Sequence, residues 1–189
     1  MTEESLFSSA HSALVFAFNF SGQCYDRPMM NRLAQPAVGN GKGLSGLDGA
    51  AQAGMIRAKL RTLGRLHENI LIARTAPKTI PCDCGSPCCA GHRTNLEWFD
   101  AAGYLTEHAK GALAGCFAHY RLRSAIIQKY FGVKISMVEI ADDCEVSRTT
   151  ANDHNAKVVK LLKAEESKAW AAIEDKFQAA GIVGEMQNA

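Results

Sequence analysis

The sequence predicts an all-α fold, and three observations support this class. Apolar residues recur at helical spacing, as Leu6, Ala10, Leu14 and Phe18 do at every fourth position. No alternating run of five or more residues has the pattern of a strand. Glycines and prolines gather between the helical stretches, where they favour irregular connections. The 189 residues suffice for one packed domain or two small ones.

Each helix is predicted from its own apolar spacing, and the first covers residues 5–20. The second covers 49–74, where Asp48 stands at the N-cap position. Pro77 and Pro81 end this helix because they lack amide donors. Its apolar stripe is formed by Met55, Leu60, Leu63, Leu66, Ile70 and Ala73. Later helices are predicted over 95–108, 110–131, 136–143 and 147–163, with an extension to 179.

The chain contains seven cysteines, an odd number, and its N-terminus lacks the basic region of a secretory signal. The apolar run "ALVFAFNF" is far shorter than the ~20 residues that span a bilayer. We therefore expect a cytoplasmic protein with reduced thiols and no membrane partner. In that compartment clustered cysteines favour a metal ion over disulfides.

Four cysteines and a histidine lie close together in "PCDCGSPCCAGHRTN", residues 81–95. The spacing C-x-C-x3-C-C-x2-H offers thiolates and an imidazole, which are ligands that zinc prefers in a tetrahedral site. Glycine and proline residues allow so short a loop to bend back on itself. The candidate ligands are Cys82, Cys84, Cys88 and Cys89. The alternatives for one of these positions are His92, Cys116 and His119.

A structural zinc site is expected rather than a catalytic one. A catalytic zinc keeps one coordination position open and needs an acid or base nearby. Asp83 is the only carboxylate within the cluster, and no His-x-Glu motif of the deaminase type accompanies it. Zn²⁺ is therefore the predicted cofactor, and the chain is not expected to be an enzyme. A zinc-dependent nucleic-acid enzyme is the alternative from another class of protein.

Residues 122–162 have the pattern of a helix-turn-helix. Ser136 stands at an N-cap position with Glu139 as its capping-box partner, and Ser147 caps the second helix. The apolar and small positions that a close helix crossing needs are Ile140, Ala141 and Val146. Glu145 departs from the pattern, because glycine is usual at that position of the turn.

The second helix of this motif lies in the DNA major groove, where its first residues reach base edges. Arginine can bond to guanine, asparagine to adenine, and threonine can contact the thymine methyl group. The residues assigned to DNA binding are Ser147, Arg148, Thr149, Thr150, Asn152, His154 and Lys157. Over residues 121–163, eight Lys or Arg oppose five Asp or Glu, a modest excess of the sign that DNA requires. Double-stranded DNA is therefore the predicted partner.

The C-terminal piece carries Trp170, Ile173 and Phe177 on one face. We expect this face to pack against the helical core, and a homodimer is the alternative. Together these assignments predict a helical domain with an inserted zinc-binding loop and a C-terminal helix-turn-helix. The divisions are the N-terminal helical region 1–75, the zinc-binding loop 76–95, the helix-turn-helix DNA-binding domain 96–165, and the C-terminal helix and tail 166–189.

The segment "YFGVKISMVEIADDCEVSRTTANDHNAKVVKLL" resembles the C-terminal domain of bacterial sigma factors and of many phage regulators. Three further segments, "LDGAAQAGMI", "PCDCGSPCC" and "NLEWFDAAG", are similar to segments of the phage late-gene antitermination protein Q family. The likeness covers roughly residues 45–165. One departure is the ligand spacing, because the lambda-type protein has two C-x-x-C pairs far apart and this chain has one compact cluster.

The resemblance implies a phage antiterminator that works in the cytoplasm of the bacterial host cell. Such a protein binds DNA near a late promoter, loads onto RNA polymerase paused there with sigma factor, and makes the polymerase read through terminators. The resemblance assigns DNA reading to Arg148, Thr149, Thr150 and Asn152, and zinc binding to Cys82, Cys84, Cys88 and Cys89. The alternative is a conventional helix-turn-helix repressor or activator of transcription initiation, which shares every DNA-binding residue.

Overall fold

A computed structural model describes residues 6–24, 46–82, 84, 86–87, 89–113 and 119–184. Within these ranges the chain forms seven helices and one two-stranded sheet, so the predicted all-α class is confirmed at the level of a mostly helical protein. The helices are α1 (Ala10–Cys24), α2 (Gly46–Arg61), α3 (Arg65–Thr75), α4 (Leu96–Ala112), α5 (Tyr120–Tyr130), α6 (Met137–Asp143) and α7 (Arg148–Ala179). The strands are β1 (Thr79–Pro81) and β2 (His92–Thr94). None of the described helices combines the length and apolarity that crossing a membrane requires.

The described residues divide into two compact units. Unit 1 consists of the described residues within Met1–Leu63, Thr75–Asn95 and Trp170–Ala189. Unit 2 consists of Gly64–Arg74 and of the described residues within Leu96–Ala169. The long helix α7 therefore contributes its first part to unit 2 and its last part to unit 1. The four contiguous divisions expected from the sequence stay a prediction.

The single helix predicted over 49–74 is wrong, because α2 and α3 are separate helices. The Thr62 amide donates to the Lys59 carbonyl at 3.1 Å, which tightens the last turn of α2. Gly64 then has a φ of 86°, a left-handed conformation that glycine adopts without strain and that ends a helix. Asp48 is not an N-cap either, because α2 begins two residues earlier and Asp48 lies in its first turn.

Two other predicted helix boundaries shift for local reasons. Helix α1 begins at Ala10 rather than near residue 5, because Ser9 and Ser12 exchange amide-to-hydroxyl hydrogen bonds of 3.2 Å across the first turn. The stretch predicted as 110–131 is divided between the end of α4 and α5. The side chain of His119 accepts a hydrogen bond from the Leu122 amide and so caps α5.

Unit 1 has an apolar core to which α1, α2 and the end of α7 contribute. Leu14, Ile56 and Phe177 are fully buried in it. Ile173 is equally buried and Trp170 is half-buried, which confirms the expectation that this face of the C-terminal helix packs against the helical core. The guanidinium of Arg57 lies 4.5 Å from the centre of the Phe18 ring, so this cation also covers apolar surface.

Unit 2 buries an arginine between α4 and α5. Arg123 is 1% exposed, its Nε donates to the Thr106 carbonyl at 3.1 Å, and its Nη2 lies 3.7 Å from a carboxylate oxygen of Glu107. A buried guanidinium is tolerated when its donors are satisfied in this way. Leu122 and Ile126, on the same helix, are fully buried beside it.

A second polar centre joins α3, α5 and α7. The Glu166 carboxylate accepts hydrogen bonds from Arg74 Nε at 2.6 Å, Arg74 Nη2 at 2.8 Å and the Tyr130 hydroxyl at 2.6 Å. The Arg74 guanidinium lies 4.9 Å from the Tyr130 ring centre and 5.0 Å from that of Phe131. Burial and the hydrogen bond to Glu166 raise the pKa of Tyr130 to about 12, so its hydroxyl stays a donor. Glu166 also raises the pKa of Arg74.

Replacing Glu166 with alanine is expected to destabilise the protein by about 1–3 kcal/mol, because it removes the carboxylate that accepts three hydrogen bonds from Arg74 and Tyr130. The loss falls short of that for a fully buried pair, since the Arg74 side chain is 31% exposed and water can solvate it in part. Urea unfolding measures the change. The control is Lys168→Ala, which removes an exposed ion pair with Glu165 and should cost less than about 0.5 kcal/mol. Equal losses for the two variants would contradict the role given to Glu166.

Candidate metal site and candidate nucleic-acid surface

The cysteine segment lies on a β-hairpin rather than in a wholly irregular loop. Strands β1 and β2 pair antiparallel, with Thr79 opposite Thr94 and Pro81 opposite His92. The Cys82 amide donates to the Gly91 carbonyl at 3.0 Å, which continues the pairing into the loop. The two ends of the segment are therefore held side by side, and the residues between them must turn back within a short distance.

Three thiols come together at the end of this hairpin. The sulfur atoms of Cys82, Cys84 and Cys89 all lie within 4.8 Å of one another. Thiolates bound to one zinc at about 2.3 Å would lie about 3.8 Å apart in a tetrahedron, so a small inward movement suffices. Cys84 is exposed, and Cys82 and Cys89 are half-buried. These residues fit a metal ion of the soft, thiolate-binding kind, although the arrangement does not identify the metal.

Backbone amides favour the thiolate form at the exposed end of the cluster. The Ser86 amide, together with the Cys89 and Cys82 thiols, lowers the pKa of the Cys84 thiol. The pKa of Cys82 is raised: the Cys84 amide lowers it, but hydrogen bonds with the Cys84 and Cys89 thiols and burial outweigh that effect. The Cys89 amide donates to the Ser86 carbonyl at 3.0 Å, which closes the turn that brings Cys89 back towards the strands.

The structure gathers three of the four cysteines predicted as ligands, and the fourth, Cys88, lies outside the described residues, as do Asp83 and Cys116. Among the described alternatives, neither histidine belongs to the group of three thiols. His92 lies on β2 with its Nδ1 3.0 Å from the Ala90 carbonyl, and His119 caps α5. The identity of the fourth ligand is therefore undecided between Cys88, Cys116, and His92 or His119, and either histidine would have to move to reach the three thiols.

Helices α6 and α7 are joined by a turn that has a hydrogen-bonded cap at each helix start and at the end of α6. The predicted capping box is confirmed, because the Glu139 amide donates to the Ser136 hydroxyl at 3.1 Å and the Ser136 amide to the Glu139 carboxylate at 2.7 Å. The α6 C-terminus has the Schellman pattern, in which the Val146 amide donates to the Ala141 carbonyl at 3.0 Å. Glu145 has a φ of 55°, so this residue adopts the left-handed conformation that the turn requires without being glycine.

The predicted cap of α7 is also confirmed. The Thr150 amide donates to the Ser147 hydroxyl at 3.1 Å, and the Ser147 and Thr150 hydroxyls lie 2.8 Å apart. Both hydroxyls are therefore already engaged with each other. Four residues of this helix pair are at most 1% exposed: Ile140, Ala141, Ala151 and Val158. They define the faces of α6 and α7 that are buried within unit 2.

The other predicted DNA-binding residues lie mostly at the surface. Arg148, Thr149, Asn152 and Lys157 are exposed along the first three turns of α7. His154 differs, because it is half-buried and burial, followed by the charge of Lys157, lowers its pKa. A largely neutral, half-buried imidazole is a poor phosphate ligand, so the structure gives His154 less access to a partner than its neighbours have.

Sequence reasoning missed two contributors to the metal site. One is Ser86, whose amide and carbonyl organise Cys84 and Cys89. The other is the pair of short strands, which the β-branched residues Thr79, Ile80 and Thr94 on either side of the cysteines could have signalled.

Comparisons with family models, characterised proteins and solved structures find no match to this chain.

Purified protein is expected to bind about one zinc ion per chain through its thiolates. Replacing Zn²⁺ with Co²⁺ should give the charge-transfer absorption of cobalt–thiolate bonds, and Cys84→Ser should weaken binding. Cys144→Ala is the matched control, because Cys144 is a buried thiol in unit 2 and outside the group of three. Comparing Cys88→Ser with His92→Ala identifies the fourth ligand. Metal-free protein after expression in zinc-supplemented medium would refute the site.

Proposed function

We propose that the protein is a sequence-specific DNA-binding transcription regulator whose α6 and α7 form a DNA-binding helix-turn-helix. The observation that carries the proposal is the exposed, polar start of α7 directly after a fully capped turn. Arg148, Thr149 and Asn152 are exposed there and have the donors, acceptors and methyl groups that read base edges in the major groove. The local excess of basic residues has the sign that DNA requires.

Within this proposal the capping residues and the base-reading residues at the start of α7 are different. Ser147 and Thr150 bond to each other and to the α7 backbone, so they hold the helix end in shape. Base reading then falls to Arg148, Thr149 and Asn152, and the exposed Lys157 would contact phosphate. The carboxylates of Asp142, Asp143 and Glu145 are exposed on the α6 side, which keeps that side away from the DNA backbone.

We further propose antitermination as the regulatory activity. The support is the resemblance of residues 45–165 to the phage late-gene antitermination Q proteins, together with a thiol cluster that fits zinc. The protein would load onto promoter-proximal paused RNA polymerase, with sigma factor as a further partner, in the cytoplasm of a bacterial host. The zinc site would be structural, holding the hairpin loop in one shape, and the protein would not be an enzyme. A conventional repressor or activator of initiation shares the same DNA-binding residues and is the second candidate.

Two experiments test the proposal at its two levels. Selection from a random duplex library tests sequence-specific DNA binding, and recovery of no enriched sequence would end that claim. Transcription in vitro with bacterial RNA polymerase, on a template with the selected site near the promoter and a terminator downstream, tests antitermination. Read-through that depends on the site supports it. A changed initiation rate without read-through would favour the conventional regulator.

Arg148→Ala is expected to weaken binding to the selected site by about 1–3 kcal/mol, the usual worth of one bidentate base contact. Binding to unrelated DNA should change less, because that binding depends on phosphates rather than bases. Fluorescence anisotropy with both duplexes measures the difference. Lys157→Ala is the matched comparison, since it should weaken binding to both duplexes by similar factors. If Arg148→Ala behaves in the same way, Arg148 does not read a base.

Ser147→Ala is expected to lower the free energy of unfolding by about 0.5–2 kcal/mol, because it removes the cap of α7. The ranking of operator variants should be unchanged, since Ser147 is engaged with Thr150 rather than free for a base. Urea unfolding and anisotropy against single-base variants give the two readouts. A loss of discrimination at one base pair, with stability unchanged, would instead make Ser147 a reading residue.

A further inference from the structure

Unit 1 contains a groove of about 480 Å³ that the proposed function does not use. We define the Gln52 groove by Leu6, by Gln52, Met55 and Lys59 of α2, and by Gly181 and Ile182 in the turn after α7. The α2 residues share one helix face, since they are spaced three and four apart. The volume falls in the range of about 300–1,000 Å³ that is typical of ligand sites.

The C-terminal wall of the Gln52 groove is fixed by the end of α7. The Ile182 amide donates to the Phe177 carbonyl at 2.9 Å, and the Gly181 amide donates to the Gln178 carbonyl at 2.9 Å. Gly181 has a φ of 66°, the left-handed conformation that this helix ending requires. Phe7 and Val183 form a bridge between the two chain ends beside the groove. The groove thus has walls held by backbone hydrogen bonds.

Two residues of α2 give the groove a polar and an apolar side chain. Gln52 is only 7% exposed, and within the described ranges its carboxamide has no hydrogen-bond partner. Its polar atoms keep some access to solvent, so a ligand in the groove can reach the donors and the acceptor of this carboxamide. Met55, which the sequence placed in an apolar stripe, is instead 53% exposed at the groove. Its flexible thioether adapts to apolar groups of different shapes.

The side chains that line the Gln52 groove favour a peptide as the ligand. A peptide group offers one N–H and one C=O together, which is the complement of a carboxamide, whereas a carboxylate alone would leave the Gln52 donor–acceptor pair half satisfied. Lys59 is exposed at the groove, and among the described residues that line it none is acidic. A carboxylate on the bound segment would therefore be favoured and a cation disfavoured.

We propose that the Gln52 groove is a docking site for an apolar, acidic peptide segment of a partner protein. An apolar side chain contacts Met55 and Ile182, a backbone peptide group pairs with the Gln52 carboxamide, and an Asp or Glu side chain pairs with Lys59. This site lies in unit 1 and shares no residue with the proposed DNA-binding face of α7. Its existence is independent of whether the protein acts on DNA.

The probes are two blocked tripeptides, acetyl-Leu-Asp-Leu-amide and acetyl-Leu-Lys-Leu-amide, with decanoate as a small amphiphile. NMR of the full chain follows the Gln52 side-chain amide and the Met55 methyl group during titration to about 5 mM, since weak peptide sites have millimolar dissociation constants. We expect saturable shifts of both signals with the aspartate peptide and about tenfold weaker binding of the lysine peptide. Gln52→Leu, which keeps the volume and removes the carboxamide, should weaken binding of the aspartate peptide.

Charge reversal at Lys59 makes the test specific. Lys59→Glu should reverse the preference, so that the lysine peptide binds better than the aspartate peptide. Arg61→Glu is the matched control, because Arg61 is exposed on the same helix but does not line the groove. The proposal is overturned by any of three results: no saturable shift of the two signals, the same change of preference in both charge variants, or tighter binding of decanoate than of the aspartate peptide.

Discussion

The carboxylate of Glu166 is the contact on which the packing of three helices in unit 2 depends. It accepts hydrogen bonds from Arg74 on α3 and from Tyr130 on α5, while Glu166 itself belongs to α7. Two parallel hydrogen bonds between a guanidinium and a carboxylate fix the distance and orientation of the helices that carry them. Glu166 follows Arg148 by five helical turns, so the exposed start of α7 extends from a firmly held segment.

The turn between α6 and α7 contains a left-handed residue that is glutamate rather than the usual glycine. Glu145 in the left-handed conformation costs roughly 1 kcal/mol more than glycine would. Both capping interactions and the Schellman hydrogen bonds surround it, so the conformation is determined by its neighbours. Glu145 also places an exposed carboxylate on the turn, which a glycine would lack. In the proposed complex this charge restricts the approach of DNA to the α7 side of the turn.

Two local signals in the sequence, the caps of α6 and α7, predicted local structure correctly, whereas Asp48 did not mark the start of α2. Ser136 with Glu139, and Ser147, are caps because the partner atoms lie within three residues. The break at Gly64 was not predictable in the same way, because a glycine inside a helix costs only about 1 kcal/mol and packing decides whether the helix continues. The three-residue strands are too short for a periodic pattern. Arg74 and Glu166 are 92 positions apart, and no pattern in one sequence links such a pair.

Unit 1 is assembled from stretches of chain that are far apart in sequence, and this has a consequence for its synthesis. Ile173 and Phe177 complete a core that also contains Leu14 and Ile56. A ribosome adding about 5–20 residues per second delivers α1 and α2 long before the end of α7. Throughout that interval the apolar faces of α1 and α2 lack part of their cover, so a nascent chain is exposed to chaperones and proteases until the end of α7 emerges. Unit 2, in contrast, takes no residue beyond Ala169.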